Sequence, residues 1–301
     1  MNKKLLFFLT FDHRSSFLKN IFQIKNHNPS QKEIEKIKEF KKIIYQGFRL
    51  VVDKNEIPNA SFAIILDEQF GQEIIKDGIT RGYKVGLAVE KSGQNEFEFE
   101  WGENFENQIK KYRVNFVKAL VRYNPEDDKE LKARQRKKLK QLSDFCQNNN
   151  YQLIIEPLVP ATPEQLKSFS GNKNDYDLKL RPKLIKRVIV EMKKEGIRPA
   201  LWKIEGLETP NDYRSLVKTI KSGGNKEVNV LILGRGANDA QVKRWLKAGA
   251  SVKGVTGFAI GRTIFQQPLI DYQEKKIVKK RAIEKISQNY KNFCDFFLQK
   301  S

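Results

Sequence analysis

Eight short apolar runs punctuate the chain, at positions 5–10, 62–66, 84–89, 116–122, 152–156, 201–204, 228–233 and 257–260. Each is rich in β-branched residues, Leu or Phe, the composition expected of parallel strands covered by helices. Between them lie longer stretches whose apolar residues recur at three-and-four spacing, notably 31–51, 128–148, 183–195, 212–221 and 239–248. That period buries one stripe of a helix. Strand and helix alternating in this way leave two α/β folds, a closed barrel or an open doubly wound sheet. Eight units favour closure, and no Gly-x-Gly-x-x-Gly follows the first run to support a dinucleotide-binding open sheet. The pattern therefore predicts a (β/α)8 TIM barrel. A last helix, about 276–298, carries Ile283, Ile286, Tyr290, Phe293 and Phe297 on one side and is expected to dock on the barrel. The longest irregular stretch is 159–180, after the fifth strand.

Length fits this picture. The chain has 301 residues, and we read residues 1–301 as one barrel domain with enough sequence to bury a large core. Residues 1–10 have the look of a short signal peptide, but Asp12-His13-Arg14 follows where a small-residue cleavage site would stand, so the run reads as strand one. No run is long enough to cross a bilayer. The two cysteines, Cys146 and Cys294, fall within helical patterns and make no Cys-x-x-Cys, which points to a reducing cytoplasm rather than a disulfide framework.

The formal net charge of +21 raises nucleic acid or a membrane surface as partners. Its distribution argues against both. Lysines occur on nearly every helical stretch, mixed with Glu and Asp, and the densest, 129–140, has Leu131, Leu139, Leu142 and Phe145 on an apolar side. That is an amphipathic helix with a solvated basic face.

Chemistry enters at the strand ends. In a barrel the C-terminal ends of the strands form the active-site mouth, so charged residues there read as catalytic. Strand one ends in Asp12, His13 and Arg14, strand two in Asp67 and Glu68, and strand three reaches Glu90. Strand four contains Lys118 and Arg122, strand five ends in Glu156, and strand six contains Lys203, followed by Glu205. A lysine held in such a place can have its pKa lowered by burial and by a second cation, which frees the amine to attack a carbonyl. Lys203 with Lys118 nearby fits amine catalysis; the competing reading makes Lys203 a structural ion-pair partner of Glu156 or Asp12. Likewise Asp12, His13 and Arg14 read either as site residues or as a buried polar network. Strands seven and eight end in Gly234-Arg235-Gly236 and Gly261-Arg262-Thr263. Glycine admits an anion close to backbone N–H groups and arginine adds charge-assisted donors, so this pair of loops reads as a phosphate site, with tight turns as the alternative. Only His13 and His27 exist, too few for the usual zinc site, and we assign no metal and no cofactor.

The motifs Phe11-Asp-His-Arg-Ser15, Leu66-Asp-Glu-Gln-Phe-Gly71, Val117-Lys-Ala-Leu-Val-Arg-Tyr-Asn-Pro125, Glu156-Pro-Leu-Val-Pro160, Leu201-Trp-Lys-Ile-Glu-Gly206 and Gly257-Phe-Ala-Ile-Gly-Arg-Thr-Ile-Phe265 together resemble one family. It is the 2-deoxy-5-keto-gluconate-6-phosphate aldolase-like family, typified by the C-terminal domain of bifunctional inositol-catabolism proteins. The chain reads as a stand-alone version of that module, and is more distantly similar to the tagatose-bisphosphate class I aldolases. The resemblance implies a metal-independent class I aldolase. By it, Lys203 matches the Schiff-base lysine, Lys118 the second lysine and Glu156 the acid/base carboxylate. Asp12 and Arg14 match the polar group of strand one, where His13 replaces the glutamine of the tagatose-bisphosphate relatives. Gly234, Gly261 and Arg262 match the phosphate end.

These readings converge on one expectation. The chain is a cytoplasmic carbon–carbon lyase that cleaves a phosphorylated keto-sugar or keto-sugar acid, such as 2-deoxy-5-keto-gluconate 6-phosphate, to dihydroxyacetone phosphate and an aldehyde. Catalysis falls to Lys203, Glu156, Lys118 and Asp12, substrate binding to Arg14, His13, Asp67 and Arg122, and phosphate binding to Gly234, Arg235, Gly261 and Arg262. The partner is a small phosphorylated sugar, with room for a homo-oligomer. The alternatives are a phosphosugar isomerase or a binding protein on the same barrel, and, further off, a basic nucleic-acid-binding protein.

Overall fold

A computed structural model describes residues 5–25, 27–54, 57, 60–224 and 227–301. In chain order they form β1 (Leu5–Thr10), α1 (Ser15–Ile21), α2 (Gln31–Val52), β2 (Ala60–Leu66), α3 (Glu68–Thr80), β3 (Lys84–Ala88), α4 (Phe105–Lys110), β4 (Phe116–Arg122), α5 (Lys129–Asn148) and β5 (Gln152–Leu158). There follow α6 (Pro163–Ser168), α7 (Lys173–Lys179), α8 (Arg181–Lys194), β6 (Leu201–Glu205), α9 (Pro210–Lys221), β7 (Asn229–Leu233), α10 (Asp239–Ala250), β8 (Val255–Ile260), α11 (Arg262–Gln273) and α12 (Lys279–Lys300). The eight strands are parallel and pair in sequence order, and β1 pairs with both β2 and β8, so the sheet closes. The fold is the (β/α)8 barrel that the alternation predicts.

Strand side chains alternate between two surfaces, which divides the core in two. One buried cluster holds Phe8, Ala63, Ile65, Phe116, Ile154, Leu201, Leu231 and Ala259 and fills the barrel. The intervening strand residues, such as Phe7, Ile64, Val117 and Ile155, join the larger cluster shared with the helices. The same parity places the chemistry. Lys118 lies two residues beyond Phe116, Glu156 two beyond Ile154, Lys203 two beyond Leu201 and Asp12 four beyond Phe8. Each therefore projects toward the axis at the C-terminal mouth, one or two layers above the apolar plug.

The final helix does dock. Ile286, Tyr290, Phe293 and Phe297 of α12 are buried as the spacing predicts, Ile283 is half-buried, and Ala282 completes the stripe. The Tyr290 hydroxyl donates to the Phe7 carbonyl at 2.8 Å, which ties α12 to β1. The stretch 159–180 is not irregular. Thr162 and Gln165 form a capping box around Pro163 and start α6, and the Asn172 side chain caps α7. Such short helices have too little apolar periodicity to register as helices, and their signal lies in the caps. Among the described residues, no helix is long and apolar enough to cross a membrane.

Candidate active site

The mouth of the barrel encloses a cavity of about 420 Å³. At its floor five strands, β1 and β3 to β6, contribute one connected ionic cluster. From β4, the Lys118 Nζ donates to Asp12 Oδ2 and to Glu90 Oε1, both at 2.6 Å, and lies 3.1 Å from Glu156 Oε2. Two of the three ammonium N–H groups are thus hydrogen-bonded to carboxylates, and Glu156 adds a third ion pair. Burial alone would lower the Lys118 pKa, but Asp12, Glu156 and Glu90 outweigh it and hold the ammonium form well above its ordinary range. Burial would likewise raise the Asp12 carboxyl, yet Lys118 and Lys203 keep it well below the usual carboxylate range. Glu90 is raised, by burial first and by the neighbouring Asp12 charge, against the pull of Lys118. Glu90 also accepts from the Leu120 N–H at 3.3 Å.

Lys203, on β6, is 4 % exposed, and its amine donates to Glu156 Oε2 at 2.8 Å. One carboxylate oxygen thus bridges both lysines. Among the described residues Glu156 is the sole hydrogen-bond partner of the Lys203 amine, whereas Lys118 makes two hydrogen bonds and a third ion pair. Lys118, expected from the sequence to stand as a second cation beside Lys203, meets three carboxylates close at hand, Asp12, Glu90 and Glu156. The ion pair of Lys203 with Glu156 is present, as the competing reading required. It does not oppose the catalytic one, because the acceptor is also the residue able to take a proton from the amine.

Arg14 is buried, with Nη1 2.7 Å from Glu100 Oε2 and Nη2 donating to the Glu90 carbonyl, while its Nε has no partner. His13 lines the cavity edge-on to Phe265, 3.9 Å from the Asp12 carboxylate. Burial lowers its pKa to about 3 against the opposing Asp12 charge, with Arg262 and the two lysines adding to the shift, so the ring is neutral at physiological pH. Arg122 ends β4, lines the cavity and donates to the Gln94 carbonyl at 2.7 Å.

Several sequence assignments change in the structure. Asp67 does not reach the cavity. Strand parity would aim it inward, but β2 ends at Leu66 and the chain turns directly into α3, where Asp67 caps the helix by accepting from the Phe70 N–H at 2.9 Å. Its other oxygen pairs with Lys41 of α2, and both side chains are fully buried. Lys41 also donates to the carbonyls of Phe11 at 2.8 Å and His13 at 3.3 Å, on either side of Asp12. Arg235 does line the cavity, but its guanidinium is taken by Glu205 at 3.0 Å and Asp177 at 2.7 Å. It is poorly placed to neutralise a phosphate.

Arg262 is the better cation. It begins α11, its Nη2 donates to the Arg235 carbonyl at 3.0 Å, and its buried Nε has no hydrogen-bond partner among the described residues. Burial lowers its pKa against the more distant Glu156 and Asp12. One glycine makes room for it. Gly236 has φ +70°, and a Cβ there would lie 2.7 Å from the Arg262 guanidinium carbon. Gly261 sits against the Thr10 carbonyl of β1, where a Cβ would clash. No side chain caps α11, which leaves its first N–H groups and positive dipole end facing the mouth. Gly234 closes the loop by accepting from the Ala237 N–H at 2.9 Å, and is not part of the cavity wall. The lining as a whole carries seven Lys and Arg side chains against four carboxylates, an environment for an anion.

Glu90, Glu100, Glu205 and Lys41 were absent from the sequence assignment of the site. Glu90 and Glu205 had a legible signal, since both are charged residues at strand ends. A larger groove of about 880 Å³ opens at the opposite end of the barrel, near the starts of β5 and β6. Its Lys193 is spent on the carbonyls of Thr219, Ile220 and Ser222.

The chain belongs to the family described as an uncharacterized protein conserved in bacteria (DUF2090), whose profile matches residues 1–301. No curated protein matches it in sequence. Among solved structures it is similar to Cgl0159 from Corynebacterium glutamicum, with 13 % identity, TM-score 0.55, and coverage of 97 % of this chain and 87 % of that one. It is similar to a Schiff-base-forming fructose-1,6-bisphosphate aldolase, with 12 % identity, TM-score 0.56, and coverage of 98 % and 94 %. An archaeal fructose-1,6-bisphosphate aldolase, whose catalytic Lys is covalently bound to the carbinolamine intermediate of the substrate, gives 11 % identity, TM-score 0.56, and the same coverage, 98 % and 94 %. At these identities the likeness is one of fold.

Proposed function

We propose that this chain is a class I aldolase, a single barrel domain over residues 1–301 working in the cytoplasm on a phosphorylated keto-sugar or keto-sugar acid. The observation that carries the reading is the buried Lys203 amine with Glu156 as its one hydrogen-bond partner among the described residues, beside a Lys118 held as ammonium by three carboxylates. The Lys203 amine, having passed a proton to Glu156, attacks the substrate ketone to form a carbinolamine. Glu156 returns a proton to the departing hydroxyl, water leaves, and an iminium results. A carboxylate of the cluster removes the proton of the hydroxyl β to the iminium carbon. The carbon–carbon bond then breaks, an aldehyde leaves, and the electron pair flows to the iminium nitrogen as an enamine. Protonation of the enamine and hydrolysis of the resulting iminium release dihydroxyacetone phosphate and free the amine.

The positions of the arginines support a substrate class. Arg262 follows β8 and Arg122 ends β4, four strands away across the barrel. A guanidinium on each side favours a substrate anionic at both ends, and the motif resemblance to the 2-deoxy-5-keto-gluconate-6-phosphate aldolase-like family supports a keto-sugar acid phosphate. The test is borohydride reduction in the presence of dihydroxyacetone phosphate, followed by mass spectrometry. An adduct on the peptide containing Lys203 is expected. An adduct confined to Lys118 moves the nucleophile there, and no adduct overturns the mechanism.

Two further outcomes follow from this reading. Arg262→Ala removes a charge-assisted donor worth roughly 1.5–3 kcal/mol, about ten- to a hundredfold in affinity. It is expected to weaken the phosphorylated substrate by that factor and to leave slow turnover of the unphosphorylated analogue nearly unchanged. Equal loss of both activities, measured as kcat/KM, would assign Arg262 to structure or chemistry instead. Among the described residues no group of three or more His, Cys, Asp or Glu side chains is placed to hold a metal ion. EDTA is accordingly expected to leave turnover intact, and loss with recovery on adding zinc or magnesium would replace the amine mechanism.

A further inference from the structure

A second cavity, of about 510 Å³, lies just outside the mouth between α7, the loop after β6 and the loop after β7. Arg235 is the wall between it and the catalytic cavity, since it lines both. Nothing in the aldolase reading uses this space. Its chemistry is nonetheless specific. Arg181, 3 % exposed, lines it and spends Nε on Asp177 at 2.8 Å and Nη2 on the Gly206 carbonyl at 3.0 Å, while Nη1 is buried with no hydrogen-bond partner among the described residues. Arg244, exposed, donates to Gln241, and its nearest carboxylate, Glu208, stands 3.9 Å away. Asp177 is committed here through both oxygens, and Glu208 through one, Oε1. Asp177 divides its oxygens between Arg181 and Arg235, and Glu208 accepts from the Trp245 indole N–H at 2.7 Å and from Gln241 at 2.6 Å. A buried guanidinium donor left unpaired is costly, and an oxyanion is the partner that suits it. The half-exposed Leu178 gives the same cavity an apolar side.

We infer that this cavity is a second anion site, which takes the phosphate or carboxylate of a small metabolite on Arg181 and Arg244 and communicates with the catalytic cavity through Arg235. An anion bound there competes with Asp177 for the Arg235 and Arg181 guanidiniums. Arg235 is also the partner of Glu205, whose second oxygen accepts from the Val159 N–H at 2.9 Å, three residues beyond Glu156. Occupancy of either cavity therefore changes the affinity of the other, and the coupling is reciprocal. The inference does not depend on Lys203 forming an iminium.

Binding of inorganic phosphate by equilibrium dialysis, in about 0.15 M salt to screen diffuse attraction to the basic surface, tests it directly. Two equivalents per chain are expected, one weakened tenfold or more by Arg262→Ala and the other by Arg244→Ala. Arg244 is exposed, so its substitution leaves the fold intact, and Leu178→Glu, which sets a like charge in the cavity, should reproduce its effect. Arg244→Ala should leave the Lys203 borohydride adduct unchanged. Succinate in place of phosphate distinguishes the sources of the anion: displacement of the Arg244-dependent equivalent shows that carboxylates are accepted, and failure to displace it restricts the site to phosphate. A single equivalent that is lost with Arg262→Ala and indifferent to both Arg244→Ala and Leu178→Glu overturns the proposal.

Discussion

Lys203→Met is expected to abolish both the borohydride adduct and turnover, with kcat/KM falling by at least about 10³-fold, because it removes the covalent route as a whole. Methionine keeps much of the buried volume of the lysine, so the barrel should remain folded. Glu156→Gln gives the informative contrast. It keeps a polar neighbour for Lys203 but cannot take its proton, and loss of a general acid–base group costs roughly 10²–10⁴ in rate. Adduct formation with dihydroxyacetone phosphate should then be slow but detectable. Lys118 supplies the control for site assignment: its three carboxylate partners hold it protonated, so Lys118→Met should impair turnover without removing the site of the adduct. Retention of a borohydride adduct in Lys203→Met, located on Lys118, would show that the cluster exchanges protons far more freely than its hydrogen bonding indicates.

Asp67→Ala is expected to be the most damaging single change outside the mouth. It leaves the fully buried Lys41 without its counter-ion, and removing one member of a buried pair costs about 3–5 kcal/mol. Loss of the cap on α3 adds about 1 kcal/mol. The measurement is the urea midpoint of unfolding, with the double variant Lys41→Met/Asp67→Ala alongside. Since the double variant removes the stranded charge, it should be more stable than Asp67→Ala alone. A loss below about 1 kcal/mol for Asp67→Ala, or a double variant equal to the sum of the singles, would show that the pair is not energetically coupled. The same substitutions reach the active site indirectly, because Lys41 holds the two carbonyls that flank Asp12.

Much of this was legible in one dimension. A backbone in a regular element repeats its geometry every two or 3.6 residues, so periodicity alone separates strands from helices and sorts each strand into inner and outer faces. That is why eight runs predict a closed barrel, and why Lys118, Glu156 and Lys203 reach the mouth: each stands two residues past an inner apolar position. Even Lys41 left a trace, since it occupies the buried stripe of α2 with Ile37, Ile44 and Phe48. What periodicity does not encode is the partner of a charge. Lys41 finds Asp67 26 residues on, Lys118 finds Asp12 106 residues back, and Arg235 finds Asp177 58 residues back. Those pairings exist because closure of the barrel brings distant strand ends within a few ångströms, and they decide which cation is neutralised and which remains available. Asp67 became a helix cap rather than a ligand, Arg235 a wall rather than a phosphate clamp, and Arg262 the open guanidinium, through distances that only the tertiary structure sets.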